Sequence, residues 1–338
     1  MDYREHPRTA AAEPRLDGVI GDPVSRPRLR RFDFRRSGRQ LDLPRVVLAG
    51  LILLGVVSIT GYLGLRAART AIRWLHQQPQ YQIPFREIRL RPEAPAWFRG
   101  GTEAFLGQVR ERSREPEVLS VLDLERGQLT RAFQDYSPWV EEVVRIEYPP
   151  GEIVVDLVYK RPVAILGSAP GEVSYLDRNG HLLPGEDFDP ELLGPLIRIT
   201  GTQLVPSPRN HPGGIWKSAV DGSESARLER CVRAAAGLAG FLLEPDRLAE
   251  RSSSRVLQVV SIFATDERGL FIRTAEGVMV LWGEAPGQEP AGTLTAAQKW
   301  ETFKRWAATS PRRAVAPGGY WMFSRSDLKP VEPGTGRP

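Results

Sequence analysis

The chain has 338 residues, 41% of them hydrophobic, enough for one large or two ordinary domains and too apolar for disorder along its whole length. Its net charge of +5 is concentrated: residues 1–45 hold 11 arginines against 7 acidic residues, so the remaining 293 residues carry only +1, which argues against a nucleic-acid-binding surface on the folded part. The single cysteine, Cys231, excludes an intrachain disulfide and a zinc site of paired cysteines, and its Ala/Leu-rich surroundings predict a small buried apolar residue.

Residues 1–45 are rich in Pro, Arg and Asp and lack apolar periodicity, so they are expected to form a disordered basic tail touching anionic lipid head groups. Residues 46–65 read VVLAGLILLGVVSITGYLGL, 20 residues without a charge, which matches the hydrocarbon core of a bilayer at helical rise. Eight arginines (Arg26 to Arg45) precede this run and three (Arg66, Arg69, Arg73) follow it closely, which predicts a cytoplasmic N-terminus and an exported C-terminal part at the inner membrane. A cleaved signal peptide fits less well, because the leader and the apolar run are too long and arginines crowd the expected cleavage point.

After the span, 66–80 extends the helix to about Pro79. A first strand is expected over 82–90, then a loop over 92–101, then a helix from a Thr102 cap to about Arg112 with Phe105 and Val109 on one face. Leu129, Phe133 and Tyr136 predict a second short helix over 127–136. Two strands follow, joined by a Pro149-Pro150-Gly151 turn. In the first, Val144, Ile146 and Tyr148 are expected to share a face; in the second, Ile153, Val155, Leu157 and Tyr159 do. Strand, two helices and hairpin make an α+β unit at 81–162.

In the second part, 163–329, Asn179-Gly180 marks a tight turn between short strands. Residues 201–222 read as a surface loop. A helix over 224–243 turns Leu228, Val232, Leu238 and Leu242 inward, and strands are expected near 256–264, 269–274 and 277–282. Thr295 and Gln298 form a capping-box pattern ahead of Trp300, Phe303 and Ala307. A last strand lies at 319–325, and 330–338 reads as a flexible tail.

Residues with chemistry are sparse. His6, His76, His181 and His211 have no metal-ligand spacing, and His181 reads as a solvated turn residue. There is no nucleophile elbow, P-loop or Rossmann glycine pattern, and the acidic pairs Glu141-Glu142 and Asp187/Asp189 read as surface charge. The expectation is a protein that is not an enzyme and uses no cofactor or metal.

Several stretches, in order, resemble the FtsQ/DivIB family of bacterial cell-division proteins. Ser137-Pro138-Trp139-Val140, then 143–148, Pro149 and 153–159, are similar to its PWV-containing hairpin signature. Arg161-Pro162-Val163-Ala164 is similar to its R-P-V-A junction, and 175–180 to its L-V-D-x-x-G hairpin. The resemblance implies a mixed α+β protein with one N-terminal transmembrane helix, a POTRA-like domain and a C-terminal mixed β domain with helices. It implies a non-catalytic divisome scaffold at the septum, linking early and late division proteins and regulating septal peptidoglycan synthesis. The implied partners are bitopic coiled-coil division proteins of the FtsB/FtsL (DivIC/FtsL) type and other divisome membrane proteins. The implied contact is strand addition to an edge near the C-terminus. The candidate edge is 319–325, with Tyr320, Trp321, Phe323, Ser324 and Arg325 as candidate partner-binding residues. Alternation puts Tyr320 and Met322 on one face and Trp321 and Phe323 on the other, and either face could be core. A POTRA-type module of an envelope export system and a membrane-anchored envelope enzyme are the competing readings.

Overall fold

A computed structural model describes residues 43–332 apart from 126, 168–172, 202–203, 253, 266–268, 310–318 and 325–326. The expected tail over 1–45 lies almost wholly outside the described residues, as does Arg325. The chain divides after Arg66 into two units, which are taken separately.

The first described element is α1 (Leu43–His76). Leu, Ile, Val and Gly surround it on every side, and none of its most apolar stretch is buried within the protein. A helix apolar all round and unburied needs lipid as its solvent. The most apolar 18-residue window within Val47–His76 has a mean hydropathy of 2.1, so one N-terminal helix is long and apolar enough to span a membrane, as in a single-pass membrane protein. The helix ends at His76, and Pro79 opens a separate 3-10 turn.

The rest is mixed α and β. The predicted strand over 82–90 divides into β1 (Gln82–Pro84) and β2 (Arg89–Arg91), separated by a 3-10 turn that drops Phe85 into the core. Then come α2 (Gly101–Ser113), β3 (Val118–Ser120), α3 (Gln128–Gln134), β4 (Val140–Glu147) and β5 (Val154–Tyr159). Thr102 lies inside α2 and caps nothing; its hydroxyl accepts from the Ala94 N–H at 3.2 Å instead. Strand β5 lies between β2, which is parallel to it, and β4, which is antiparallel; β1 and β3 form a separate antiparallel pair.

Ile153, Val155 and Leu157 are buried as their alternation predicts. Strand β4 departs from its prediction. Register shifts at Val140/Glu142 and Val143/Arg145 each insert an extra residue, so Val143 and Ile146 both pack on the core while Val144 faces out. A bulge reverses the alternation that follows it, which a strict period of two cannot anticipate.

Beyond residue 163 the strands are β6 (Ala164–Leu166), β7 (Ser174–Leu176) and β8 (Leu182–Leu183). They are followed by α4 (Pro190–Leu193), β9 (Ile197–Thr200), α5 (Ser223–Leu242), α6 (Pro245–Ser252) and β10 (Val259–Thr265). Last come β11 (Gly269–Thr274), β12 (Met279–Gly283), α7 (Ala296–Thr309), β13 (Tyr320–Phe323) and β14 (Leu328–Val331). They form one nine-stranded sheet in the order β14-β13-β12-β11-β10-β9-β6-β7-β8. Its pairs are antiparallel except β6 with β9, β9 with β10, and β12 with β13.

Helix α5 supplies Leu228, Val232, Leu238 and Leu242 to the core as predicted, with Ala235, Ala236 and Ala239 letting it sit close to the sheet. The capping box of α7 forms: the Thr295 N–H donates to Gln298 Oε1 at 2.9 Å, and the Gln298 N–H donates to Thr295 Oγ1 at 3.3 Å. The β7–β8 turn is built on Asp177, whose buried carboxylate accepts from the backbone N–H of Asn179 and of His181, both at 2.8 Å. His181 is therefore anchored, with Nδ1 2.9 Å from Asp177 Oδ2, and is not a loose solvated residue. The backbone conformation favours glycine at 180, where φ is +81° and a Cβ would only make ordinary contact, 3.4 Å from the backbone of Arg233. Cys231 is only half-buried on α5.

The core around α2, α3 and β5 is completed from beyond residue 163, by Leu183, Phe188 and Leu193. Phe188 is fully buried and meets Trp97, Trp139 and Tyr175 edge-on or nearly so. Just before it, Asp187 accepts from Trp139 Nε1 at 2.9 Å and from Gln108 Nε2 at 2.6 Å. The two sheets thus share packing across the expected 162/163 boundary. Phe188→Ala should destabilise the protein by about 3–5 kcal/mol. Tryptophan fluorescence and far-UV circular dichroism should still report one coincident urea transition. Two separated transitions would contradict the shared packing.

Candidate protein-docking edge

The last two strands depend on α7. Ala296, Lys299, Trp300, Phe303 and Trp306 follow i, i+3, i+4, i+7 spacing, and all are buried. Trp306 packs at a tilt on Trp321 of β13, with ring centroids 4.8 Å apart, and Trp282 of β12 meets Phe323 edge-on at 5.6 Å. Trp321 and Phe323 therefore face the core, Trp321 with 4% of its surface exposed. Tyr320 and Met322 take the opposite face, where Tyr320 meets Phe271 edge-on at 5.2 Å and Met322 is 42% exposed. The two faces left open by alternation are thereby assigned, and Trp321 is a core residue.

The structure also corrects which strand is the edge. Strand β13 has neighbours on both sides: β12 in parallel, and β14 antiparallel with Tyr320 opposite Val331 and Phe323 opposite Leu328. The terminal strand is β14. Part of the expected flexible tail, residues 330–331, belongs to it. Ser324 lies at the turn, its N–H donating to the Asp327 carbonyl at 2.7 Å. By the two-residue alternation of an antiparallel ladder, 329 and 331 share that inward orientation, and Leu328 and Pro330 turn their backbone groups outward. Proline has no N–H, so an outward position costs no ladder bond. The outer row consists of the Leu328 C=O and the Pro330 C=O, beside the exposed side chain of Lys329; the Leu328 N–H donates to Asp327 Oδ1 at 2.8 Å.

The opposite edge is closed. Leu182 of β8 donates to the Gly214 carbonyl and accepts from the Gly213 N–H, both at 2.8 Å, and the Trp216 N–H donates to the Gly180 carbonyl at 2.9 Å. The segment 205–219 that does this was expected to be a surface loop. It is pinned by Trp216, 1% exposed in the core, and by a two-way exchange between the Asn210 amide and the Lys217 backbone. Among the described residues, nothing pairs with the outer side of β14.

The C-terminal ends of β12 and β13 and the first turn of α7 border a groove of about 700 Å³. Gly283, Thr293, Gln298, Met322 and Ser324 line it, with Trp282 and Lys299. Lys299 is 7% exposed, and its ammonium donates to the Trp282 carbonyl at 2.8 Å. Burial pushes this lysine below its usual range, against the opposing pull of Glu289 and Glu284. Both Glu289 oxygens already accept backbone N–H groups, from Gly287 and from Ala296. A lysine on the apolar stripe of α7 is the signal that sequence reasoning passed over.

Elsewhere, His76 pairs with Asp123 at 2.8 Å near the end of α1, and among the described residues no three His, Cys, Asp or Glu side chains converge. No protein-family model matches this chain. No curated protein matches it either.

The assignment of faces on β13 is checked by urea denaturation in detergent micelles. Trp321→Ala should cost about 3–5 kcal/mol. Met322→Ser should stay within about 0.5 kcal/mol. Equal losses would overturn the assignment.

Proposed function

We propose that the chain is a non-catalytic, single-pass scaffold of the FtsQ/DivIB type. Its N-terminus is cytoplasmic, its folded part is exported at the division septum, and it links early and late division proteins to regulate septal peptidoglycan synthesis. The observation that carries this reading is the asymmetry of the nine-stranded sheet. One edge is sealed by 205–219, and the other, β14, turns the Leu328 and Pro330 carbonyls outward with no described strand beside them. A sheet sealed at one edge and open at the other suits docking of one extended partner segment.

Other features support the same reading. A membrane-spanning helix precedes a strand–helix–helix–hairpin unit with the order β2-β5-β4, read here as POTRA-like. The stretches similar to the family lie where that layout needs them. Ser137 to Val140 enters the hairpin, 161–164 leads into β6, and 175–180 forms the anchored Asp177 turn. The partner class is the bitopic coiled-coil type, FtsB/FtsL or DivIC/FtsL, adding a strand to β14. The partner role moves with the edge. Tyr320 and Met322 stay near the docking surface, and Trp321 and Phe323 support it from below.

The test is site-specific photocrosslinking in the source cells. A photoreactive residue at Lys329 should trap a small bitopic coiled-coil protein, the same residue at Asn210 beside the sealed edge should not, and a fluorescent fusion should collect at midcell. An evenly distributed fusion with no such product from Lys329 would remove the division reading.

A further inference from the structure

Past the uncharged run over 46–65, α1 continues without a break through 66–76. These last turns present three different sides. Arg69 and Arg73, four residues apart, stack on one of them. Ala68, Ile72 and Leu75, spaced i, i+4, i+7, form an apolar second side, and Trp74 stands on a third, about 120° from each at 3.6 residues per turn. All three sides are exposed: Arg69 and Arg73 are open to solvent, Ile72 is 56% exposed and Trp74 61%. Helix α1 contains no acidic residue, so nothing within it offsets the arginines.

Arginine, tryptophan and an aliphatic face around one helix are what a membrane–water boundary holds. The position agrees. Arg69 and Arg73 lie about 6 and 12 Å past Leu65 along the helix. The head-group layer occupies about 5–8 Å beyond each side of the hydrocarbon core. Side chains on a helix lean toward its N-terminus, which at this end of α1 is the direction of the bilayer. The long side chains of Arg73 and Trp74 therefore reach back toward the head groups, as arginines near the end of a span do. The end of the segment is tied down: His76 Nδ1 lies 2.8 Å from Asp123 Oδ2, and Gln82 Nε2 donates to the His76 carbonyl at 2.9 Å. Lipid gripped at 69–74 is thus gripped at the base of the folded part.

We infer that the turns carrying Arg69, Arg73 and Trp74 form a recognition surface for anionic phospholipid head groups, in the leaflet at the C-terminal end of α1. The two guanidiniums pair with lipid phosphates, and Ile72 and Leu75 rest against the upper part of the acyl chains. Anionic lipid is preferred because of the uncompensated charge. A zwitterionic head group brings its own cation to compete with the arginines, and an anionic one does not. The inference rests on α1 crossing a bilayer and is independent of the division reading.

The experiment uses the full chain in phosphatidylcholine nanodiscs that contain a minor fraction of phosphatidylglycerol. Cys231→Ser removes the native thiol, and Ile72→Cys carries a fluorophore on the apolar side, leaving both arginines and Trp74 in place. A shallow nitroxide quencher is placed on the phosphatidylglycerol or, in a parallel sample, on an equal amount of the phosphatidylcholine. Quenching should be at least about threefold stronger from phosphatidylglycerol, given the attraction each arginine adds near an anionic surface. Arg69→Gln with Arg73→Gln should bring it down to the phosphatidylcholine level. The same fluorophore on Leu54→Cys, in the middle of the uncharged run, should be quenched by a nitroxide deep in the acyl chains whichever lipid carries it. Equal quenching of the Ile72→Cys label by the two lipids overturns the anionic preference. A preference that persists in the double glutamine variant removes Arg69 and Arg73 as its source. Quenching at Leu54→Cys with none at Ile72→Cys shows the last turns standing clear of lipid and overturns the surface while α1 still spans. No quenching at either position brings down the span and the surface together.

Discussion

A β-sheet ends in two rows of backbone N–H and C=O groups, and each row must be paired, covered or left for a partner. This protein treats its two rows differently. On the β8 side, the chain spends fifteen residues, 205–219, on a cover whose Gly213 and Gly214 complete the hydrogen bonds of Leu182. Gly213 has φ of +84°, and an added Cβ would lie 3.3 Å from Pro138, so the cover is fitted against neighbouring structure. On the β14 side a proline takes an outward position, and no described strand pairs with its outer side. The functional reading depends on that difference.

The second constraint is orientation. Asp187 and Phe188 arise in one sheet region and are buried against Trp139 and Gln108 of the other. At the same junction Arg178 donates to Glu141 at 2.7 Å. An aromatic wedge flanked by a carboxylate that satisfies two donors resists sliding as well as separation, because any shift strands polar groups out of water. The open edge is therefore presented at a fixed angle to the three-stranded sheet.

Much of this was readable from residues alone, where a single physical rule acted. The uncharged run over 46–65, the alternation of 153–159, the inward stripe of α5 and the Thr295/Gln298 box each obey one period or one motif. Reading failed where two rules competed. The bulges in β4 shifted a correct alternation out of phase. Pro330 disguised β14, because proline argues against strands everywhere except at an outward edge position. The aromatic run 320–323 showed two alternating faces but not which one α7 would cover. Lys299 was hidden by its charge, since long side chains on apolar stripes usually carry their heads out to water.

The sealed β8 edge also limits how copies of this chain can combine. A sheet with two open edges can join head to tail, each copy offering the next one a new edge, and such heterologous joins propagate into filaments. With β8 capped by 205–219, edge pairing between copies through the nine-stranded sheet is confined to β14 against β14, which closes after two. The same cap that protects the sheet thus bars the nine-stranded sheet from open-ended growth by edge pairing.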